Sequence, residues 1–511
     1  MVTSKNVEKK QGAGKMGYIF FALQELEILK VRTPATRRKI GLSASIFTYP
    51  SQLFSWNGYS GYKKFSYIAC LFFISCFPSY SYAENPPNIE SFTLKNGLEV
   101  IVIPNHRVPA VNHTLWYKVG AADDPRGKSG LAHYHEHAMF LGTNKYKSGE
   151  YSRIIARNGG EQNAFTGYDA TAYYVNISKE NLPLAMEMEA DRMNGLTASD
   201  TDMEKEKQVI IEERRMRIDN NPDALLAEQV NAILFRNHPY RLPVIGWQHE
   251  MDGLTKQDVM DFHKKWYHPG NAILIVSGDV KAQEVKSLAE KYYGNIPKGQ
   301  ISARIWTDEP PQRANRHVVM RHPQVIQPEL SRIYFASSLG YGKKEDALPL
   351  FVLAHVLGGG KTSRLYRSLV TEKKLASAVD VNYNGFSRGP GEFSISITPD
   401  QGIDTEKLEE ELNKELADFL KNGLTGEELT RAKTLLKAEI VYARDGLSGV
   451  ANIMGWIRMI NLPVNYFTDW SKLVDNISVQ QVLAAAENTL KEKEGVTALL
   501  LPENAMQKGD K

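Results

Sequence analysis

Cysteine is almost missing from this chain. Its 511 residues contain two, Cys70 and Cys76, and both sit in one apolar stretch near the front. Beyond that stretch there is no thiol, so no disulfide framework holds the chain together, even in an oxidising compartment. Membrane-spanning length is missing too. The apolar run at residues 65–77 has 13 residues, and a spanning helix needs about 20. No stable membrane span is expected. Gly358-Gly359-Gly360-Lys361-Thr362 lacks the G-x-x-x-x-G-K spacing of a phosphate-binding loop and reads as a tight helix end. Basic excess is confined to the front. Residues 1–64 hold 11 Lys and Arg against 3 Asp and Glu, and the remainder holds 51 against 56. The net charge passes from +8 to −5. No basic patch remains that argues for nucleic acid.

The front has the layout of an export signal. Lys63-Lys64 precede the apolar run, and Ser81-Tyr82-Ala83 follows it with small residues at the −3 and −1 positions of a signal-peptidase site. Residues 61–83 are expected to be a signal peptide cleaved after Ala83, which predicts a periplasmic or secreted protein. Cys76, after Ile74-Ser75, is a poor lipobox-like site, and a lipid anchor there is the alternative. Residues 1–60 read as a basic extension or a mis-started leader. About 428 residues follow Ala83, enough for two domains of roughly 200 each.

The most informative stretch is His133-Tyr134-His135-Glu136-His137, an H-x-x-E-H pattern. On a helix, His133 and His137 stand one turn apart on one face, with Glu136 beside them. Two imidazoles and a carboxylate are what zinc-assisted peptide hydrolysis needs: nitrogen ligands, and a base for the attacking water. With 12 His and 59 acidic residues in 511, about 0.03 chance matches are expected. His135 points to the opposite face and reads as a packing or surface histidine.

Two histidines leave a tetrahedral site short of a ligand. The run from Glu204 to Arg217 is rich in helix formers. Glu206 and Glu213, seven apart, share a helix face to within about 20°, and Glu212 is turned about 100° away from Glu213. Periodicity alone leaves this face a solvated acidic one as readily as a ligand donor.

A wider set of residues changes that. Leu115-Trp116-Tyr117-Lys118-Val119-Gly120, Asp124-Pro125, Gly127 and Ser129-Gly130-Leu131-Ala132 lead into the motif, and Phe140-Leu141-Gly142-Thr143 follows it. Then come Gly159-Gly160-Glu161-Gln162-Asn163-Ala164-Phe165-Thr166, Thr171 and Tyr173-Tyr174. From about Ile89 onward the chain resembles the inverzincin metallopeptidases, the family of pitrilysin, insulin-degrading and mitochondrial-processing peptidases. That family carries a distal E-x-x-V-x-x-x-E, matched here by Glu206, Val209 and Glu213. The resemblance implies one Zn2+ per chain on His133, His137 and Glu213, with Glu136 as general base and Glu206 supporting a ligand. Glu212 is the runner-up ligand. It also implies that Gln162–Tyr168, with Asn163, Ala164, Phe165 and Thr166, binds substrate as an added strand at a sheet edge. A turn before a core strand is the competing reading of Gly159-Gly160 and Asn163.

The fold so implied is α+β, with two homologous domains. Each is a mostly antiparallel sheet with helices packed on it, and together they form a clam-like chamber. The expected layout is a zinc-bearing domain at 84–305, a linker at 306–325 around Glu309-Pro310-Pro311-Gln312-Arg313, and an inactive homologous domain at 326–511. Leu353-Ala354-His355 echoes Leu131-Ala132-His133, but Gly358 and Gly359 stand where Glu136 and His137 would be. The second half therefore cannot bind zinc in this way. In the family that half supplies an Arg and a Tyr within R-E-K-x-x-L-A-Y, where this chain has Thr371 and Ser377. The implied activity is a zinc endopeptidase acting on peptides or unfolded segments. The implied partner is a homologous subunit bringing the Arg/Tyr pair, with a homodimer also compatible. The alternative is a peptide-binding or assembly subunit with little turnover of its own.

Overall fold

In a computed structural model of the protein, residues 88–443, 446–491 and 495–503 are described. The expected extension at 1–60 and signal peptide at 61–83 lie outside the described residues. Apolar residues recurring every second position, or in unbroken runs, build two sheets. The first holds β1 (Glu90–Thr93), β2 (Glu99–Pro104), β3 (Ala110–Tyr117), β4 (Glu161–Thr166), β5 (Thr171–Ser178) and β6 (Ala272–Gly278) in the order β1-β2-β6-β3-β5-β4. Only β2 and β6 pair in parallel. The second holds β7 (Arg316–His322), β8 (Glu329–Ala336), β9 (Ala376–Asn384), β10 (Gly391–Pro399) and β11 (Gly495–Pro502) in the order β7-β11-β8-β10-β9, with β7 and β11 parallel. The expected α+β class is found, two mostly antiparallel sheets carrying helices.

Both faces of the first sheet are buried, for different reasons. Val100, Val102, Leu115, Tyr117, Leu274 and Val276 pack against helices of their own half. Among these are α1 (Leu131–Ala138), α2 (Glu150–Arg157), α3 (Leu182–Gly195), α4 (Asp200–Arg214), α6 (Lys256–Trp266) and α7 (Ala282–Tyr293). Ile101, Ile103, Trp116, Ile273 and Ile275, on the other face, join the core of the second half. There they meet α11 (Leu447–Met459), and Trp456 lies edge-on to Trp116 with ring centroids 5.4 Å apart. Gly455 admits this approach, because a Cβ there would fall 2.0 Å from the Trp116 ring. Glu99 and Arg458 clamp the contact with two hydrogen bonds, at 2.8 and 3.1 Å.

The exchange is reciprocal. Helix α5 (Pro222–Leu234) of the first half lays Leu226, Val230 and Leu234 against Ile333, Val496, Ala498 and Leu500 of the second sheet. Asn221 starts α5 by accepting from Asp223 N and Ala224 N, and Pro222 occupies the first turn, where its missing N–H costs nothing. In sequence Asn220-Asn221-Pro222 reads as the end of the helix before it, and in the structure it is also the start of α5. Helix α6 and strand β11 are likewise not anticipated from the sequence. The stretch expected as a linker, 306–325, contains strand β7. The preceding segment is fixed rather than free: Arg304 donates to Asp123 Oδ1 at 2.6 Å and to the Asp169 carbonyl at 3.0 Å.

No helix among the described residues is long and apolar enough to cross a membrane.

Candidate metal centre and active site

The motif helix α1 begins at Gly130, whose φ of 86° gives a left-handed entry and whose missing side chain leaves the first turn without a local cap. Asp124 supplies the cap from six residues upstream. Its two carboxylate oxygens accept from Gly130 N and Ala132 N, each at 2.8 Å. Glu250 accepts from Ser129 N at 2.7 Å. The helix is thus fixed at its start, on buried polar contacts, before the motif begins.

His133 and His137 lie one turn apart, with ring centroids separated by 4.8 Å. Both turn toward α4, where Glu213 Oε2 stands 3.7 Å from His133 Nε2 and 3.3 Å from His137 Nε2. Each of the three side chains offers a donor atom within 4.8 Å of the others. Glu206, two turns before Glu213 on α4, bonds His137 Nδ1 at 2.7 Å, which leaves Nε2 for the shared space. Glu212 is turned to solvent and pairs with Arg215, so the face argument that preferred Glu213 agrees with the structure.

The donor chemistry suits a divalent cation. Arg217 Nε holds Glu213 Oε1 at 3.0 Å, while the buried Oε2 is turned to the two imidazoles. Burial opposes the Glu213 charge, but the His137 hydrogen bond and the charges of His133, His137 and Arg217 outweigh it and hold the carboxyl down at about 2. Burial, with help from His137, pushes His133 down to about 3. Burial opposes charge on His137 as well, yet hydrogen bonds to Glu206 and Glu213 push it up to about 10. The two carboxylates therefore favour positive charge at His137. Neutral imidazole nitrogens and a carboxylate oxygen are the usual ligands of zinc.

Glu136 is buried beside this cluster, and Thr166 Oγ1 donates to its Oε2 at 2.5 Å. Thr166 closes β4, which pairs with β5 alone and forms one edge of the first sheet. Ala164 and Phe165 lie on opposite faces of that strand. Ala164 belongs to the core beneath α1, and Phe165 packs on Trp116 at 5.2 Å and on Trp456 at 6.2 Å. Asn163 Oδ1 accepts from the next backbone N–H, Ala164 N, at 2.9 Å. A cavity of about 260 Å³ adjoins the cluster, lined by His133, Glu136, His137, Thr166 and Glu213 and by an apolar wall of Phe165, Ile218, Ala224, Ala227, Val244 and Ile245. His135 faces away, buried 3.0 Å from His263 Nδ1, so it is a packing histidine.

The structure brings together every residue expected in the cluster. Asp124, Arg217 and the Thr166–Glu136 bond were not anticipated as parts of it. Arg217 had a signal, four residues after Glu213 on one helical face. Asp124 had none beyond its place in the resembling segment.

The second half repeats the arrangement incompletely. His355 on α8 (Ala347–Gly358) lies 3.4 Å from Glu439 on α10 (Gly426–Ala443), as His133 lies near Glu213. At Gly358, in the place of Glu136, a Cβ would fall 2.5 Å from Val381 of β9. Helix α8 closes down on its edge strand where α1 leaves room for Glu136. Gly359 ends the helix, and a side chain there would strike the His355 carbonyl at 2.6 Å. With its Tyr place at Ser377, whose Oγ donates to Thr398 O at 3.3 Å, the eight-letter pattern has its Arg place at the half-buried Val370, one residue before the expected Thr371.

Two sheets, a buried His₂Glu cluster and an adjacent carboxylate define a metallopeptidase-type architecture with the two-domain clam-like fold. Two family models match, insulinase (peptidase family M16) over residues 99–247 and the peptidase M16 inactive domain over 253–436. The zinc protease PqqE of Helicobacter pylori is 30% identical over 419 residues, covering 81% of this chain and 93% of that protein. A crystal structure of a protease from Helicobacter pylori aligns with a TM-score of 0.75 at 30% identity, over 82% of this chain and 100% of that one. A peptidase M16 inactive domain from Pseudomonas fluorescens shares the fold, with a TM-score of 0.73 at 20% identity over 82% and 99%. The chain belongs to the insulinase family of peptidases, M16.

Proposed function

We propose that the protein is a zinc endopeptidase that hydrolyses peptides or unfolded segments. The observation that carries this reading is the Glu136 carboxylate, hydrogen-bonded to Thr166 and standing beside the His133, His137 and Glu213 donors at the mouth of a cavity. Zinc held by those three residues supplies a Lewis acid that polarises the scissile carbonyl and acidifies a water. The chain's own groups do the rest. Glu136 takes the water's proton and passes it to the leaving nitrogen. Thr166 fixes the carboxylate for that transfer. The open edge of β4 binds the peptide backbone as an added strand, and the apolar wall receives one side chain. Glu206 holds His137 in the tautomer that presents Nε2.

Val370 and Ser377, at the Arg and Tyr places, support a second element of the proposal. Neither can grip a substrate as the Arg and Tyr of related peptidases do, so a homologous subunit bringing that pair completes the enzyme. The same two residues favour the alternative, a peptide-binding subunit with little turnover. Export through the signal at 61–83 places the mature chain in the periplasm or outside the cell, and N-terminal sequencing of the natural protein tests this.

The decisive assay is cleavage of a quenched fluorescent peptide library by the mature chain. Hydrolysis abolished by Glu136→Gln supports the peptidase. Equal behaviour of wild type and variant removes it. Full activity of the purified single chain removes the need for a partner.

A further inference from the structure

Arg241 stands on the wall of the same cavity. Of the carboxylates that line it, Glu213 has Arg217, Glu228 has Arg214 at 2.6 and 3.0 Å, and Glu136 is held by the Thr166 hydroxyl. Among the described residues Arg241 forms no ion pair. Its one side-chain hydrogen bond is from Nη1 to the Arg236 carbonyl at 2.9 Å.

That bond is made on a rigid loop. Arg241 closes the short turn Pro239–Arg241. The residues before it are pinned by the Glu309 carboxylate, which accepts from the consecutive backbone N–H groups of Arg236, Asn237 and His238. Such a nest of N–H groups holds an anion firmly. The connecting segment between the sheets therefore fixes the loop, the loop's carbonyl orients the guanidinium, and the remaining donors stay open. Arg241 is exposed at this wall, whose lining combines the apolar Ala224, Ala227, Val244 and Ile245 with the polar Asn231. A partly apolar cavity with a guanidinium that has no ion-pair partner suits a ligand with a short hydrocarbon stem and a terminal carboxylate. An uncharged polar isostere loses the charge-assisted bond and keeps only the stem contacts.

We infer that Arg241 is a specificity-determining residue, selecting substrates that place a carboxylate in this cavity. A glutamate side chain and a free chain terminus share that chemistry. The inference rests on the reading of the site as a peptidase and names its substrate class.

The test uses quenched fluorescent peptides of one sequence. Each position flanking the cleaved bond is set in turn to Glu, Gln or Lys, and every peptide is made with a free and with an amidated C-terminus. Cleavage of any member by the wild type, and of none by Glu136→Gln, establishes the peptidase. Failure of all members sinks that reading and is distinct from failure of the preference. At the position that enters the cavity, Glu should exceed Gln in kcat/KM by about tenfold. Arg241→Gln should remove that ratio, Arg241→Lys should keep part of it, and Arg241→Glu should turn it toward Lys, at equal zinc content in every protein. A preference that follows the free C-terminus in place of the side chain, and vanishes in Arg241→Gln, supports the inference with the chain end as the source. Equal rates for Glu, Gln and Lys with either terminus, or a Glu preference that survives Arg241→Gln, overturn it.

Discussion

Glu206 Oε1 lies 2.7 Å from His137 Nδ1, and its helix carries Glu213 to the opposite side of the same imidazole. One helix therefore both orients a nitrogen donor and contributes an oxygen donor. Loss of the Glu206 carboxylate should leave all three candidate ligands present but the His137 ring less well fixed. Glu206→Gln is expected to weaken zinc binding by about 10–100-fold. Competition with a chromogenic chelator measures this, and unchanged affinity would show that the bond is incidental.

The candidate ligands and the base should separate cleanly. Glu136→Gln should keep zinc and lose activity by about 10²–10⁴-fold, the range for removal of a general base. Glu213→Ala and His133→Ala should lose zinc itself. Zinc at 100 times its dissociation constant stabilises a folded protein by about 2.7 kcal/mol. Wild type and Glu136→Gln should therefore melt higher with zinc, and the two ligand variants should not. Metal analysis together with thermal melts in zinc and in chelator reads both outcomes.

Asp124 is predicted to matter for stability before it matters for chemistry. It gives the first turn of α1 two acceptors that Gly130 cannot provide, and burial raises its own pKa well above the usual carboxylate range. Asp124→Ala should cost about 1–3 kcal/mol of stability through the two unsatisfied N–H groups. Denaturant titration measures the loss. A variant as stable as wild type would mean that water replaces the cap.

His113 sets an acid limit. Burial pushes its pKa down to about 4 from 6.5, with smaller opposing contributions led by Glu189, and its Nε2 sits 2.9 Å from the Tyr293 hydroxyl. The folded protein holds this ring neutral, while the unfolded chain protonates it near pH 6.5. Its contribution is complete above pH 6.5 and is lost as the pH falls toward 4, by about 2 kcal/mol at pH 5. Unfolding free energies at pH 7 and pH 5 should fall less steeply for His113→Gln than for wild type. Parallel slopes would assign the acid sensitivity to other groups.

Much of the cluster was legible because its geometry is local. His133, Glu136 and His137 are spaced by one helical turn, and Glu206 and Glu213 by two, so each set shares a face wherever its helix lies. That the two faces meet is a long-range fact, suggested by resemblance and supplied by packing. The Thr166 hydroxyl on Glu136 joins a strand to a helix across 30 residues of sequence, and no periodicity encodes such a contact. Helix α5 is hard to read from sequence because Asn220-Asn221-Pro222 is a stop signal for one helix and a start signal for the next.

The sequence by itself determined which side chains could serve as donors and which half lost them. These follow from residue type and short-range spacing, which act through backbone geometry alone, whereas the two mostly antiparallel sheets were implied by the family resemblance. Tertiary structure decided that α5 and α11 cross to the opposite sheets, that α8 closes on β9 at Gly358 while α1 leaves space for Glu136, and that Arg241 faces the cavity. Those outcomes depend on which apolar surfaces find one another, and burial is indifferent to distance along the chain.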